Sequence, residues 1–291
     1  MRMKIRSLFL MGLLSFGLAD AEEQKLEVVP DVDVMTMVQD ARCKQVVVTC
    51  LINDQPMRMM LDSGATHTVL HKESAERLEG VQRIDTSAMQ FRGNSQQSPE
   101  MLMAPLLAGP ARFPQHLFMV LDLSAVRGAM AEPIDGILGM DVLGSVPFTF
   151  DQRKDAFFWG VAAGAELVPL RGKQDRFGRW MVQAVCQGKP LVLLLDTGSS
   201  VTRVHEADWT PGPGEIIEAH VGNVDKSARI SIREGAAADL DVAEGIMLRG
   251  VKPIFGQPGE PPVLGMDALR GAVLVHLPTE ASPYGSFFLA K

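Results

Sequence analysis

Apolar residues along the chain fall in short runs of four to six positions, separated by Gly, Pro, Asn and Asp. That spacing predicts strands joined by tight turns, and so a mostly β protein. Helical periodicity is sparse. Residues 74–78 suggest one short helix, weakly echoed at residues 206–209, and a further helical turn follows each of Met140-Asp141 and Met266-Asp267. Asp141 and Asp267 are well placed there as helix N-caps. Residues 211–214 and 256–262, rich in Pro and Gly, read as surface loops.

The first residues break this pattern. Arg2, Lys4 and Arg6 precede an apolar run over residues 8–18, followed by Ala19-Asp20-Ala21. A basic start, about a dozen apolar residues and a small-residue cleavage site describe a secretory signal peptide over residues 1–21. The run is shorter than the roughly 20 apolar residues that span a bilayer, so no stable membrane insertion is expected after cleavage. The mature protein is then exported, periplasmic or secreted. Residues 22–40 are acidic and poorly patterned, and read equally as a tail, a strand or a removable segment.

Beyond the leader the chain is written twice. With Pro56 set against Pro190, Pro56–Asp62 ends in Asp62-Ser63-Gly64-Ala65-Thr66, and Pro190–Asp196 ends in Asp196-Thr197-Gly198-Ser199-Ser200. Both copies continue through a Thr (Thr68, Thr202) to a His (His71, His205). Each then reaches a Gly-Asn step, Gly93-Asn94 and Gly222-Asn223, suited to a hairpin tip. Ile137-Leu138-Gly139-Met140-Asp141 answers Val263-Leu264-Gly265-Met266-Asp267. Two β-type runs close each copy, residues 146–150 with 156–159 and residues 272–277 with 286–289. The repeat divides the mature chain into an N-terminal unit, residues 22–163, and a C-terminal unit, residues 164–291, with residues 161–166 as linker.

Each repeated Asp follows a wholly apolar strand, so a carboxyl is delivered from a dry interior to a strand end, which is costly without partners. One Asp-Thr-Gly is no more than a turn. Two, at matching places in a repeat, can bring Asp62 and Asp196 together about a pseudo-twofold axis. Two carboxyls in contact share one proton, which supplies a base and an acid at the same pH. Composition narrows the alternatives. With 28 Lys and Arg against 35 Asp and Glu the net charge is −7, so nucleic acid is not an expected partner. Cys43, Cys50 and Cys186 make an odd count, and all three read as small buried hydrophobes. His71 and His205 recur in register with no third ligand at zinc-like spacing, so local capping or turn contacts are expected of them and no metal. Met57, Met59, Met60, Met101 and Met103 read as core and cleft lining.

Those motifs resemble the pepsin and retropepsin superfamily of aspartic peptidases, in a compact bilobed form like the bacterial retropepsin-like proteins. The resemblance runs from about Val46 to Leu289. It implies an all-β fold of two homologous lobes with one active site between them, working as a monomer without metal or organic cofactor. It implies that Asp62 and Asp196 hold the attacking water, and that Ser63 and Thr197 join a hydroxyl network across the lobe interface. Gly64, Thr66, Gly198 and Ser200 complete the support, while Leu138-Gly139 and Leu264-Gly265 thread past the catalytic loops. By position, Phe91, Arg92, Gly93 and Asn94, and Val221, Gly222 and Asn223, are the flap candidates. Two features depart from the pattern. The flap Tyr of pepsin-like enzymes has no counterpart, because the only Tyr is Tyr284. Arg203 stands where the first copy has Val69, and a charge there needs a partner or an exit to solvent.

The expectation is an exported aspartic endopeptidase acting on extended peptide or protein substrates. Two other readings use the same fold: a catalytically silent peptide-binding module, and a structural or regulatory envelope protein in which the two Asp residues only tie the lobes together.

Overall fold

The structure is a computed structural model that describes residues 27–28, 38–39, 45–84, 100–161, 165–222, 227–256, 259–279 and 282–290. Residues 1–21, expected to be a signal peptide, Cys43, and the flap candidates Phe91, Arg92, Gly93, Asn94 and Asn223 lie outside them.

Each copy begins with a hairpin that aims its Asp. Val46–Ile52 pairs with Gln55–Leu61, and Trp180–Cys186 pairs with Lys189–Leu195. Two-residue turns close both. Asn53 and Asp54 in the first, and Gln187 and Gly188 in the second, all have positive φ, the turn whose twist matches that of the flanking strands. Alternation puts Met57, Met59 and Leu61, and likewise Leu191, Leu193 and Leu195, into the main core. The second strand of each hairpin then pairs in parallel with the later apolar-apolar-Gly segment. Leu61 lies opposite Leu138, and Leu195 opposite Leu264. On the far side of that segment runs the strand after the Asp turn, Val69–His71 in the first copy and Arg203–Val204 in the second.

The long strands Glu100–Ala108 and Ala111–Leu121 form the next hairpin of the first copy. The second copy divides the same path into Ser227–Gly235, Ala238–Ala243, Ile246–Val251 and Ile254–Phe255. Pro213–Gly222 pairs with Ser227–Gly235 in a hairpin that ends at Gly222 opposite Ser227, so the loop expected at residues 211–214 already enters a strand.

The closing strands of the two copies merge into one five-stranded sheet, ordered Ala156–Trp159, Phe148–Asp151, Val273–Thr279, Ser282–Ala290 and Leu167–Pro169. Phe148 pairs with His276 across the copies, and their rings stack at 4.8 Å. Phe148, Phe150, Phe157 and Phe287 are all buried there. The main core is continuous from Val46 to Leu289, so the two units share one hydrophobic interior.

The short helices depart in detail from the sequence reading. The first covers Lys72–Glu76, and its echo is the single 3-10 turn Glu206–Asp208. Asp141 is not the N-cap of its helix: Gly139 is, and Met140–Leu143 already includes Asp141. Its carboxylate is drawn off by Thr68, as described below. A third helix, Ser124–Ala129, has no counterpart in the second copy; its Gly128 and the absence of any buried residue within it leave no apolar period to read inside its bounds. It packs against Pro213–Gly222 and Ser227–Gly235, so a hairpin of the second copy reaches across to the first. Among the described residues no helix is long and apolar enough to cross a membrane.

Candidate active site

Asp62 and Asp196 leave their strands by the same route. The backbone N–H of Asp62 donates to Leu138 O, and that of Asp196 donates to Leu264 O, both at 3.1 Å. The residues that follow lock the two turns together. Ser63 N–H donates to Thr197 Oγ1 at 3.0 Å, and Thr197 N–H returns a bond to Ser63 Oγ at 3.1 Å. Ser63 Oγ–H then donates to Leu195 O at 2.9 Å, and Thr197 Oγ1–H to Leu61 O at 3.2 Å. Both hydroxyls are buried, so these four bonds form out of reach of water.

This lock presses each turn against the opposite carboxyl. A Cβ on Gly64 would lie 2.7 Å from Asp196 Cγ, and one on Gly198 would lie 2.5 Å from Asp62 Cγ. No residue larger than Gly fits at either place. The two carboxyls are near enough for each to act on the other's charge. Asp62 Oδ1 accepts bonds from Gly64 N–H at 2.7 Å and Ala65 N–H at 3.0 Å. Burial and the neighbouring Asp196 push the Asp62 carboxyl well above the usual carboxylate range, against those two bonds. Burial also raises Asp196, with Arg203 among the groups that resist the rise.

The Gly of each apolar-apolar-Gly segment lets the strand pass beneath the turn. A Cβ on Gly139 would lie 2.6 Å from the His67 carbonyl, and one on Gly265 would lie 2.4 Å from that of Val201. Met140 N–H donates to Ala65 O and Met266 N–H to Ser199 O, both at 2.9 Å. Thr68 and Thr202 sit behind the turns. Thr68 Oγ1 donates to Asp141 Oδ1 at 2.7 Å and accepts from Gly139 N–H at 3.2 Å. Thr202 repeats both bonds with Asp267 and Gly265 at the same lengths.

The copies differ behind Asp141 and Asp267. Burial works against the Asp141 charge, yet His116, 3.5 Å away, and Thr68 hold the carboxyl below its ordinary range. Asp267 has no such histidine, and burial lifts it above.

Other candidates take more ordinary places. Thr66 Oγ1 pairs with His67 Nδ1 at 2.8 Å, and Ser200 is half-buried on the second turn. Val221 and Gly222 end the strand of the second hairpin. His71 is buried; its Nδ1 accepts a bond from Leu123 N–H at 3.0 Å, a long-range tie, and its Nε2 makes a local contact of the expected kind, 3.5 Å from Glu73. Desolvation lowers its pKa, with Glu73 and Asp122 opposing the shift. His205 precedes its 3-10 turn without a side-chain cap. Cys50 and Cys186 are buried free thiols, and burial pushes the Cys50 thiol up to about 12.

One contact carried no sequence signal. Gln45, at the start of the first strand, donates from Nε2 to Gly198 O at 2.6 Å across the lobe interface. The repeat sets Arg179 at the matching place, and Arg179 instead pairs with Asp175 at 2.7 Å.

Comparison with known proteins bears on the fold. Residues 48–142 match a family model described as "Aspartyl protease". The fold is similar to that of basic 7S globulin from soybean, with a TM-score of 0.52, over 89% of this chain and 93% of that one. The two sequences are 12% identical, so the likeness is one of fold. No curated protein matches the sequence.

Proposed function

We propose that this chain, whose fold is that of the pepsin and retropepsin-like aspartic peptidases, is an exported aspartic endopeptidase. The observation that supports the reading is the reciprocal Ser63–Thr197 lock, which sets the glycine of each Asp turn against the carboxyl of the other, while burial raises both carboxyls. A carboxyl pair of this kind retains one proton between its members where lone carboxyls would have lost both.

In the proposed reaction the ionised member takes a proton from a water between Asp62 and Asp196. The protonated member donates to the oxygen of the scissile carbonyl. Water oxygen bonds to carbon, giving a gem-diol and leaving the two carboxyls with exchanged protonation. On collapse the newly protonated member passes its proton to the leaving amine as the C–N bond breaks, the other takes a proton from a gem-diol hydroxyl to leave the product carboxylic acid, and the pair returns to its starting state with one proton. The substrate lies extended across the cleft, with the flap candidates of the sequence, residues 91–94 and 221–223, proposed to supply backbone bonds. No metal or cofactor takes part in these steps. Export rests on residues 1–21, and the mature protein is proposed as a periplasmic or secreted monomer of two units, residues 22–163 and 164–291.

The test is cleavage of a mixed peptide library by purified mature protein across pH. Cleavage that disappears in both Asp62→Ala and Asp196→Ala supports the assignment, and cleavage that survives both substitutions rejects it. Peptide capture without cleavage would reassign the fold to a binding module. Amino-terminal sequencing of the exported protein checks removal of residues 1–21.

A further inference from the structure

Arg203 is the one charged residue that the repeat substitutes for an apolar one beside the Asp turns. Strand register confirms the equivalence, since Val69 lies opposite Ile137 and Arg203 opposite Val263. The next residues, Leu70 and Val204, belong to the main core, so alternation turns Val69 and Arg203 to the other face of the sheet. Leu61 and Leu195 are also core residues, and the same alternation places Asp62 and Asp196 on that other face. Arg203 and Asp196 therefore share one wall.

The two copies finish this wall in opposite ways. In the first, Val69, Met60 and Ile137 join Leu123, Met130 and Ile134 in a small apolar cluster. In the second, Arg203 lies opposite Val263, and Glu260 faces it. Gly256 makes room for the arginine stem, since a Cβ there would lie 2.8 Å from Arg203 Cδ. Arg203 Nε is buried and makes no hydrogen bond; Glu260 Oε2 stands 3.6 Å from it, beyond good bonding distance. The side chain keeps 30% of its surface exposed, and its charge acts on Asp196. A guanidinium held this way has donors to spare for a planar two-oxygen acceptor.

We infer that Arg203 selects substrates carrying a carboxylate side chain, Asp or Glu, on one side of the scissile bond, while the apolar wall of the first copy receives a hydrophobic residue on the other. This deepens the endopeptidase reading and rests on it. The charged groups facing Arg203 are Asp196 and Glu260, and a bidentate carboxylate would satisfy the Nε donor that Glu260 leaves without a hydrogen bond. Arg203 is a specificity residue here and takes no part in the proton transfers.

The experiment uses peptide pairs that differ only by Glu or Gln at each position flanking the cleaved bond. Both fluorescence-polarisation binding and kcat/KM are measured with the mature protein near pH 6. The expected result is a preference for Glu of about tenfold at one position. It should vanish in Arg203→Val, weaken in Arg203→Lys, and grow in Glu260→Gln. Thermal unfolding reports whether each variant is folded, and the Lys and Gln variants carry the test if Arg203→Val is not. Equal handling of Glu and Gln by the wild type, or an unchanged preference in folded Arg203→Val, overturns the inference. A shifted pH profile with unchanged preference also overturns it, by confining Arg203 to the carboxyl pair. Asp-dependent cleavage that ignores peptide charge sinks this inference alone. Glu-selective binding without Asp-dependent cleavage sinks the endopeptidase reading alone.

Discussion

A carboxyl whose pKa is raised on folding stabilises the protein only while it stays protonated. Asp62 and Asp196 are both raised above their ordinary value of 3.8. Their contribution is therefore full below that value and is lost as pH rises through the folded pKa values. Asp141 and Asp135 are lowered and act oppositely, stabilising above 3.8 and failing as pH falls. A difference measurement separates the two groups. Asp196→Asn, which cannot ionise, should gain stability relative to the wild type between about pH 4 and pH 7, read from urea midpoints at each pH. A difference that stays flat would show that burial does not raise the pair. The glycines make an independent prediction at this scale. Gly64→Ala sets a methyl 2.7 Å from Asp196 Cγ, so the turns must part. Cleavage should fall by about a hundredfold or more with the far-ultraviolet dichroism retained, since displacements near 1 Å cost that much in rate. Both Asp-Gly turns were legible in the sequence because repetition made them stand out. Gln45 was not, because its bond to Gly198 depends on a loop 153 residues away. Gln45→Ala is expected to lower kcat by about tenfold at nearly unchanged KM and melting temperature. A fall in melting temperature with unchanged kcat would make the bond structural only.

At the scale of elements, the hairpins and the apolar-apolar-Gly strands followed from alternation and turn chemistry, which act locally and so leave a local trace. The third helix was not read, because it is only six residues long, Gly128 interrupts it, and two of its three spaced apolar residues, Leu123 and Met130, lie just outside it. The role of Asp141 was misread for a different reason. An Asp ahead of a helical turn signals an N-cap, but Thr68, 73 residues earlier, takes the carboxylate through both its N–H and its hydroxyl. Thr68→Val keeps the shape and deletes the hydroxyl, leaving Asp141 and the Gly139 N–H each one partner short. The expected loss is about 2–3 kcal/mol, from a buried bond to a charged group, measured by chemical denaturation. Thr202→Val should cost less, since the raised Asp267 can take up a proton as Asp141 cannot. Equal losses would remove the electrostatic distinction between the copies.

Across the whole molecule, the repeat was visible in the sequence but the degree of sharing between its copies was not. Periodicity describes each strand alone and says nothing about which copy its partner belongs to. Phe148–Asp151 of the first copy pairs along its length with Val273–Thr279 of the second, and the buried aromatics Phe148, Phe150, Phe157 and Phe287 close over that seam. Leu167–Pro169, just past the proposed boundary, pairs with the final strand. Cutting the chain between residues 163 and 164 would strip a long apolar face from each fragment, and each fully exposed large side chain costs about 1.5–3 kcal/mol. That exceeds what a unit of this size can spare from a typical stability of 5–15 kcal/mol. Fragments 22–163 and 164–291 expressed separately should thus be insoluble or lack cooperative unfolding, and neither should cleave peptides, because each holds one carboxyl. Expressed together, they should rejoin through the five-stranded sheet and recover Asp-dependent cleavage, with the recovery lost if either strand of the Phe148–His276 pairing receives a proline. A fragment that unfolds cooperatively on its own would show that the units are independent domains, and that only the carboxyl pair and the Ser63–Thr197 lock require both.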